Sequence, residues 1–321
     1  MISKKGKALK IVFMGTPEFA VASLKALHES SHEVVAVVTA PDRPAGRGRS
    51  MMTSAVKNYA VEHHLRLLQP EKLKDESFIN ALQRLGADLF VVVAFRMLPK
   101  VVWSIPPLGT VNVHASLLPR YRGAAPINHA IRNGETETGV TTFMINEEID
   151  TGDILFQEKV MISSDETAGE LHDRLMTSGA ELIVATADRL AAGSWEKIPQ
   201  SAMDVSGDVP EAPKIFTEDC FIPWSESGKT IHDFIRSLSP YPGARTRILV
   251  DDKEYVLKVY ESFFQSATHH EAVMSLHPDK GLSVAVRDGW VQLKEVQMEG
   301  KKRMSAEQFM NGLRQPLKII A

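Results

Sequence analysis

Residues 88–95 read D-L-F-V-V-V-A-F. A run this apolar, bounded by a charge and rich in β-branched and aromatic residues, predicts a strand buried on both faces. Toward the N-terminus, Ala8–Met14 is a similar run closed by Gly15, and Val34–Thr39 is another. Between those two, Thr16 is expected to cap a helix that Pro17 opens, with Phe19, Leu24 and Leu27 along one face. Val56–His64 and Asp75–Leu85 carry helical patterns, and Thr110–His114 adds a further strand on the C-terminal side. Apolar strands alternating with helices imply an α/β fold, a Rossmann-like, doubly wound, mostly parallel sheet covered on both faces. Such sheets bind ligands at the carboxyl ends of their strands.

Beyond this core, Ala124–Asn133 is expected to be a short helix, Gly139–Ile145 and Ile154–Val160 strands, and Thr167–Ala192 a long helix. Residues 193–213 hold three prolines and little periodicity, which marks a linker. The texture then changes. A helix at Thr230–Ser237 is followed by short alternating segments at 245–250, 255–262, 282–286 and 291–296, the pattern of a small barrel or sandwich. The expected organisation is a domain at 1–192, a linker at 193–213 and a second domain at 214–321.

Bulk properties narrow the function. The chain has 321 residues, a net charge of −3 and one cysteine, Cys220. A disulfide framework and a cysteine-rich metal site are excluded, and a reducing, cytoplasmic setting is expected. The first ten residues are basic, but the apolar run behind them, Ile11–Met14, is too short for a signal sequence. No run approaches the roughly 18 apolar residues of a membrane helix. Residues 212–321 carry 15 basic and 14 acidic side chains, so any nucleic-acid face there must come from clustering in space.

The chemistry concentrates between Val111 and Leu155. V-N-V-H at 111–114 places Asn112 and His114 on one face of a strand and Val111 and Val113 on the other. Two polar side chains at a sheet end need partners or a ligand, and the loop Ser116-Leu117-Leu118-Pro119 follows at once. A carboxylate from I-D-T-G-D at 149–153 completes the set, although spacing does not choose between Asp150 and Asp153. An amide, an imidazole and a carboxylate, without a nucleophile or a set of metal ligands, point to acyl-type transfer by positioning, proton handling and oxyanion support. Gly15-Thr16-Pro17 lacks both G-x-G-x-x-G and a Walker lysine and is expected to be a tight turn. In Asp42–Arg49, Arg43, Arg47 and Arg49 alternate with glycine and proline. Such a loop suits either plain solvation or phosphate contact.

Across nearly its whole length the chain resembles the methionyl-tRNA formyltransferases, within the 10-formyltetrahydrofolate-dependent formyltransferases. The likeness is densest in G-T-P-E-F-A at 15–20, P-D-R-P-A-G-R-G at 41–48, N-V-H-A-S-L-L-P-R-Y-R-G-A-A-P-I at 112–127, and E-T-G-V-T with I-D-T-G-D-I-L in 137–155. The resemblance implies a formyltransferase fold followed by an OB-like, tRNA-binding β-barrel domain that includes S-P-Y-P-G-A at 239–244. It implies Asn112, His114 and Asp150 as the catalytic trio, and so selects Asp150 over Asp153. It implies a folate-binding loop at Ser116, Leu117, Leu118 and Pro119, and tRNA contact through Arg43, Arg47 and Arg49, with Arg47 the principal one. One stretch departs from the pattern: Phe95-Arg96-Met97-Leu98 stands where Tyr-Gly and an aliphatic-Leu pair are usual. It resembles the pteridine-binding stretch of glycinamide ribonucleotide formyltransferases, with backbone near Phe95, Arg96 and Leu98 as partners.

The expected reaction carries the formyl group of 10-formyltetrahydrofolate to the α-amino group of initiator methionyl-tRNA, without a metal, in a monomer that does not engage a membrane. Formylation of a small amine, an amino-sugar nucleotide or glycinamide ribonucleotide, would use the same trio but needs neither the arginine loop nor the second domain. A non-catalytic RNA-binding homologue would be expected to lack one of the trio and to carry a more basic second domain.

Overall fold

The computed structural model describes residues 7–45, 50–203, 207–277, 281–313 and 317–320. The chain forms two compact units, and no single cut separates them. One comprises residues 1–123, 138–160 and 172–211; the other comprises 124–137, 161–171 and 212–321.

In chain order the elements are β1 (Lys10–Gly15), α1 (Glu18–His28), β2 (Glu33–Val38), β3 (Arg43–Ala45), β4 (Ser50–Met52), α2 (Ala55–Glu62), β5 (Leu67–Leu68), α3 (Glu76–Arg84), β6 (Leu89–Val93), α4 (Lys100–Trp103) and β7 (Thr110–His114). Then follow β8 (Arg122–Gly123), α5 (Pro126–Arg132), β9 (Glu137–Met144), β10 (Ile154–Met161) and α6 (Ala168–Ala191).

The first unit is built on a seven-stranded sheet in the order β10-β9-β7-β6-β1-β2-β5. The pairs β1–β2, β2–β5, β1–β6 and β6–β7 are parallel, and β7–β9 is antiparallel. The chain builds outward from β1 through β2 and β5, then returns to the other side of β1 with β6. That reversal opens a crevice at the carboxyl ends of β1 and β6. Every residue of β6 is buried, because both faces are covered. On one face Val12, Met14, Phe90 and Val92 pack with Phe78 and Leu82 of α3.

Two local expectations are corrected. Pro17 is the N-cap of α1 and not its first helical residue; its backbone is extended, at φ −79 and ψ 177, so the helix begins at Glu18. The segment 41–49 is not wholly irregular, for Arg43–Ala45 pairs antiparallel with Ser50–Met52. Arg43 belongs to the first strand of this pair, and the partner strand follows the glycines in sequence. The lysine of α2 clamps the hairpin's base: Lys57 pairs with Asp42, which also accepts from Gln69 at 3.0 Å. Lys57 is the main reason the Asp42 carboxyl sits below its ordinary range.

β11 (Glu211–Ala212) follows in the chain, and the second unit then holds α7 (Gly228–Ser237), β12 (Ala244–Val250), β13 (Lys253–Ser266), β14 (Ser283–Val286), β15 (Gly289–Met298), β16 (Met304–Ser305), α8 (Ala306–Asn311) and β17 (Leu317–Ile320). Its antiparallel, curled sheet runs β14-β15-β13-β12-β17, with β16 against β15. The register between β13 and β15 shifts around Glu261, an irregularity of the kind that bends a long strand and lets a sheet curl. Ile231, Phe234 and Ile235 of α7 fill the interior with Leu257, Val259, Val284 and Val291. A methyl group added at Gly228 would fall on the ring of Phe264, so α7 can approach β13 only through a glycine. Segments distant in sequence hold α7. Asn128 of α5 donates to the Ser237 carbonyl at 2.6 Å, and the buried Arg236 donates to the Glu166 carbonyl at 2.9 Å.

His232 of α7 is buried, and burial pushes its imidazole below the ordinary value. Asp165 at 3.2 Å opposes this, but that carboxylate is exposed and screened. A histidine with a depressed pKa in the fold stabilises above its unfolded pKa, about 6.5, and loses that contribution as pH falls. Melting temperature is therefore expected to fall between pH 7.5 and 5.5, and to fall less in His232→Gln. Equal slopes in the two proteins would remove His232 as the cause.

Candidate active site

Strand β7 ends between a parallel and an antiparallel neighbour, with Asn112 opposite Val92 and Phe143, and His114 opposite Thr141. Its apolar face is tightly covered, since a methyl group added at Gly179 of α6 would lie 3.1 Å from Val113. Asn112 and His114 take the other face. His114 is 7% exposed. Its Nε2 lies 2.8 Å from the carbonyl oxygen of Tyr121. A carbonyl only accepts, so Nε2 carries the hydrogen and Nδ1 is the nitrogen free to exchange a proton. Nδ1 stands 3.7 Å from Oδ2 of Asp150. The Asn112 side chain is half-buried and makes no hydrogen bond among the described residues, which leaves its amide available.

Asp150, and not Asp153, stands beside His114. The Asp150 carboxylate accepts from the Gly123 backbone N–H at 2.9 Å, whereas Asp153 offers its carbonyl oxygen to Met144 at 2.9 Å. Asp150 adopts φ 55 and Tyr121 φ 61. Left-handed conformations at non-glycine residues cost on the order of 1–3 kcal/mol each and persist only where surrounding contacts over-determine them. Gln200 supplies such contacts, donating to the carbonyl oxygens of Asp150 and Gly152 at 2.8 Å each. Gln200 and Tyr121 were not anticipated as parts of the site. Gln200 sits in the predicted linker, and apart from the Arg122 side chain the partners named here are reached through backbone groups, which leave no side-chain signature.

The two loops expected to hold folate leave adjacent strand ends, after β6 and β7. In the first, Arg96 donates to the Glu71 carbonyl at 2.9 Å and also to the Pro70 carbonyl. Its guanidinium ties the loop to residues 70–71, and burial, then Arg43, pushes it below its ordinary pKa. Leu98 is buried in the core with Phe95 packed against it. In the second loop the Leu118–Pro119 bond is cis. Ser116 is fully buried and donates to the Arg120 carbonyl at 2.7 Å, while the Leu118 N–H donates to Thr141 at 3.2 Å. Gln157 donates to the Leu118 carbonyl at 2.8 Å, and Leu117 packs against Gly139. Arg43 is exposed on its hairpin beside exposed Met51 and Met52; Arg47 and Arg49 lie outside the described residues. Among the described residues no group of three or more His, Cys, Asp or Glu is placed to hold a metal ion.

A doubly wound sheet with a histidine, an amide and a carboxylate at one strand end has clear relatives. Residues 9–187 match the formyl transferase family, and residues 214–314 match the formyl transferase C-terminal domain. The chain belongs to the formyl transferase family. It is 50% identical over 316 residues to the methionyl-tRNA formyltransferase of Parabacteroides distasonis, covering 97% of this chain and 98% of that one. With the methionyl-tRNA formyltransferase of Flavobacterium psychrophilum it shares 47% identity over 309 residues, 96% and 97% of the two chains. Among solved structures, Aquifex aeolicus HypX in complex with tetrahydrofolic acid is similar in fold. The TM-score is 0.63 at 18% identity, and the match covers 97% of this chain and 49% of HypX, so this chain spans about half that protein's length.

Gly152 closes the Asp150 turn onto the end of β9. A methyl group there would fall on the Met144 carbonyl oxygen, which is backbone and cannot swing away. Gly152→Ala is expected to cost at least about 1–3 kcal/mol in urea unfolding and to depress activity by displacing Asp150. Wild-type stability and turnover together would show that the turn tolerates displacement.

Proposed function

We propose that this enzyme transfers the formyl group of 10-formyltetrahydrofolate to the α-amino group of methionine on initiator methionyl-tRNA. Full-length kinship with methionyl-tRNA formyltransferases carries the proposal, and the grouping of Asn112, His114 and Asp150 at the end of β7 supports it. The loops 95–98 and 116–119 suit the folate: they leave neighbouring strand ends, and their side chains are largely committed to holding the backbone in place. 10-Formyltetrahydrofolate brings the electrophilic formyl carbon and departs as tetrahydrofolate. Asn112 donates its amide N–H to the negative charge developing on the formyl oxygen. Nδ1 of His114 is the exchangeable site, because Nε2 is occupied by Tyr121. It adds a hydrogen bond when protonated, and Asp150 holds the ring in orientation. The amine forms its bond to the formyl carbon, a water between Asp150 and His114 relays the proton that the amine gives up to N10 of the folate, and the bond from N10 to the formyl carbon breaks as tetrahydrofolate leaves.

In this proposal residues 1–192 perform catalysis, 193–213 join the domains, and 214–321 bind tRNA, with Arg43, Arg47 and Arg49 contacting its phosphates. The enzyme works as a monomer in the cytoplasm. No helix among the described residues is long and apolar enough to cross a membrane.

The direct test offers 10-formyltetrahydrofolate with methionyl initiator tRNA, elongator tRNA and glycinamide ribonucleotide in parallel. Only the initiator tRNA is expected to be formylated efficiently; formylation of the small amine alone would refute the proposal. Asn112→Ala is expected to lower kcat on the order of 10²–10³-fold with folate affinity largely kept. Wild-type turnover in that variant would remove Asn112 from the chemistry.

A further inference from the structure

We infer that Gln200 is a positioning residue for Asp150, and that it thereby forms part of the active site. This rests on the proposed role of Asp150. The Gln200 side chain is 6% exposed and saturated with partners. Its Oε1 accepts from Arg122 at 2.9 Å (Nε) and 2.6 Å (a terminal nitrogen), while its Nε2 donates to the Asp150 and Gly152 carbonyls at 2.8 Å each. A guanidinium only donates and a carbonyl only accepts, so the amide fits in one orientation only. Glutamate keeps the acceptor and loses the donors. Lysine or arginine loses the acceptor.

What Gln200 grips is the strained part of the site. Its two donated bonds bracket the turn that begins at Asp150, where φ is 55. The other strained residue, Tyr121, donates its N–H to the Pro210 carbonyl at 2.6 Å and accepts from His114 through its own carbonyl. Ile198 and Ile154 exchange backbone hydrogen bonds at 2.8 and 2.9 Å, fixing the segment alongside β10. Residues 121–123 therefore join everything: Tyr121 meets His114, Arg122 meets Gln200, and Gly123 meets the Asp150 carboxylate. Without the Gln200 amide the backbone of Asp150 is free to leave its left-handed conformation, and the carboxylate moves away from Nδ1 of His114. Gln200 touches no reacting atom. It acts through Asp150.

The test compares the full-length wild-type enzyme with Gln200→Glu, Gln200→Ala, Asp150→Ala and the Gln200→Glu/Asp150→Ala double variant. Readouts are kcat, KM for 10-formyltetrahydrofolate and for methionyl initiator tRNA, and melting temperature. Gln200→Glu is expected to lower kcat about 10–100-fold with both KM values within about twofold. The double variant is expected to be no slower than Asp150→Ala, because residues acting as one unit are not additive. Gln200→Ala is expected to lose at least as much as Gln200→Glu, and it stands in should the buried glutamate prevent folding. Multiplicative losses in the double variant would overturn the inference, as would wild-type kcat in Gln200→Glu alongside loss in Gln200→Ala. The second result would mean that only the tie to Arg122 matters. Wild-type turnover in Asp150→Ala would instead overturn the catalytic trio itself.

Discussion

The site depends on the alternation of β7. A strand hydrogen-bonded on both edges cannot rotate, and its period of two sends Val111 and Val113 to one face and Asn112 and His114 to the other. Burial of Val113 beneath α6 holds that register, since a slip of one residue would place the imidazole in the apolar layer. The geometry of the proposed site is in this sense a by-product of core packing. The antiparallel β9 adds a second constraint. It seals the far edge and delivers its own end, Met144, to the turn that carries Asp150.

Around this rigid strand, Asp150 and Tyr121 both occupy left-handed backbone conformations; Gln200 holds the Asp150 carbonyl and the Pro210 carbonyl accepts from Tyr121. Such positions survive because several hydrogen bonds act on them at once. The Tyr121 carbonyl also decides which nitrogen of His114 bears a fixed hydrogen, so a backbone group sets the tautomer available to the proposed proton transfer.

Much of this was legible in sequence because it follows from short-range periodicity. Strand β7 begins and ends where its alternation begins and ends, and β6 lies within its apolar run. The loop reading of Asp42–Arg49 missed the pairing of Arg43–Ala45 with Ser50–Met52, because composition carries no record of a partner strand. Strand β5 and helix α4 are too short to show a period. The grouping of residues 124–137 and 161–171 with the C-terminal segment was also hidden, because it rests on packing between segments distant in sequence, with Asn128 on the Ser237 carbonyl and the Arg132 guanidinium over the Phe234 ring. Gln200 had no signal at all, being one polar residue in a proline-punctuated stretch.

By itself, the sequence determined the fold class, the face of β7 that carries polar chemistry, and a set of residue types suited to acyl-type transfer. Those properties depend on neighbours within a few residues, where strand and helix periods operate. Tertiary structure alone decided that Asp150 and not Asp153 meets His114, which nitrogen of that ring is committed, and that Gln200 reaches the same turn. Each of these depends on where a backbone carbonyl or N–H from a distant segment comes to rest, and every residue carries the same backbone groups. Only the folded chain makes one of them particular.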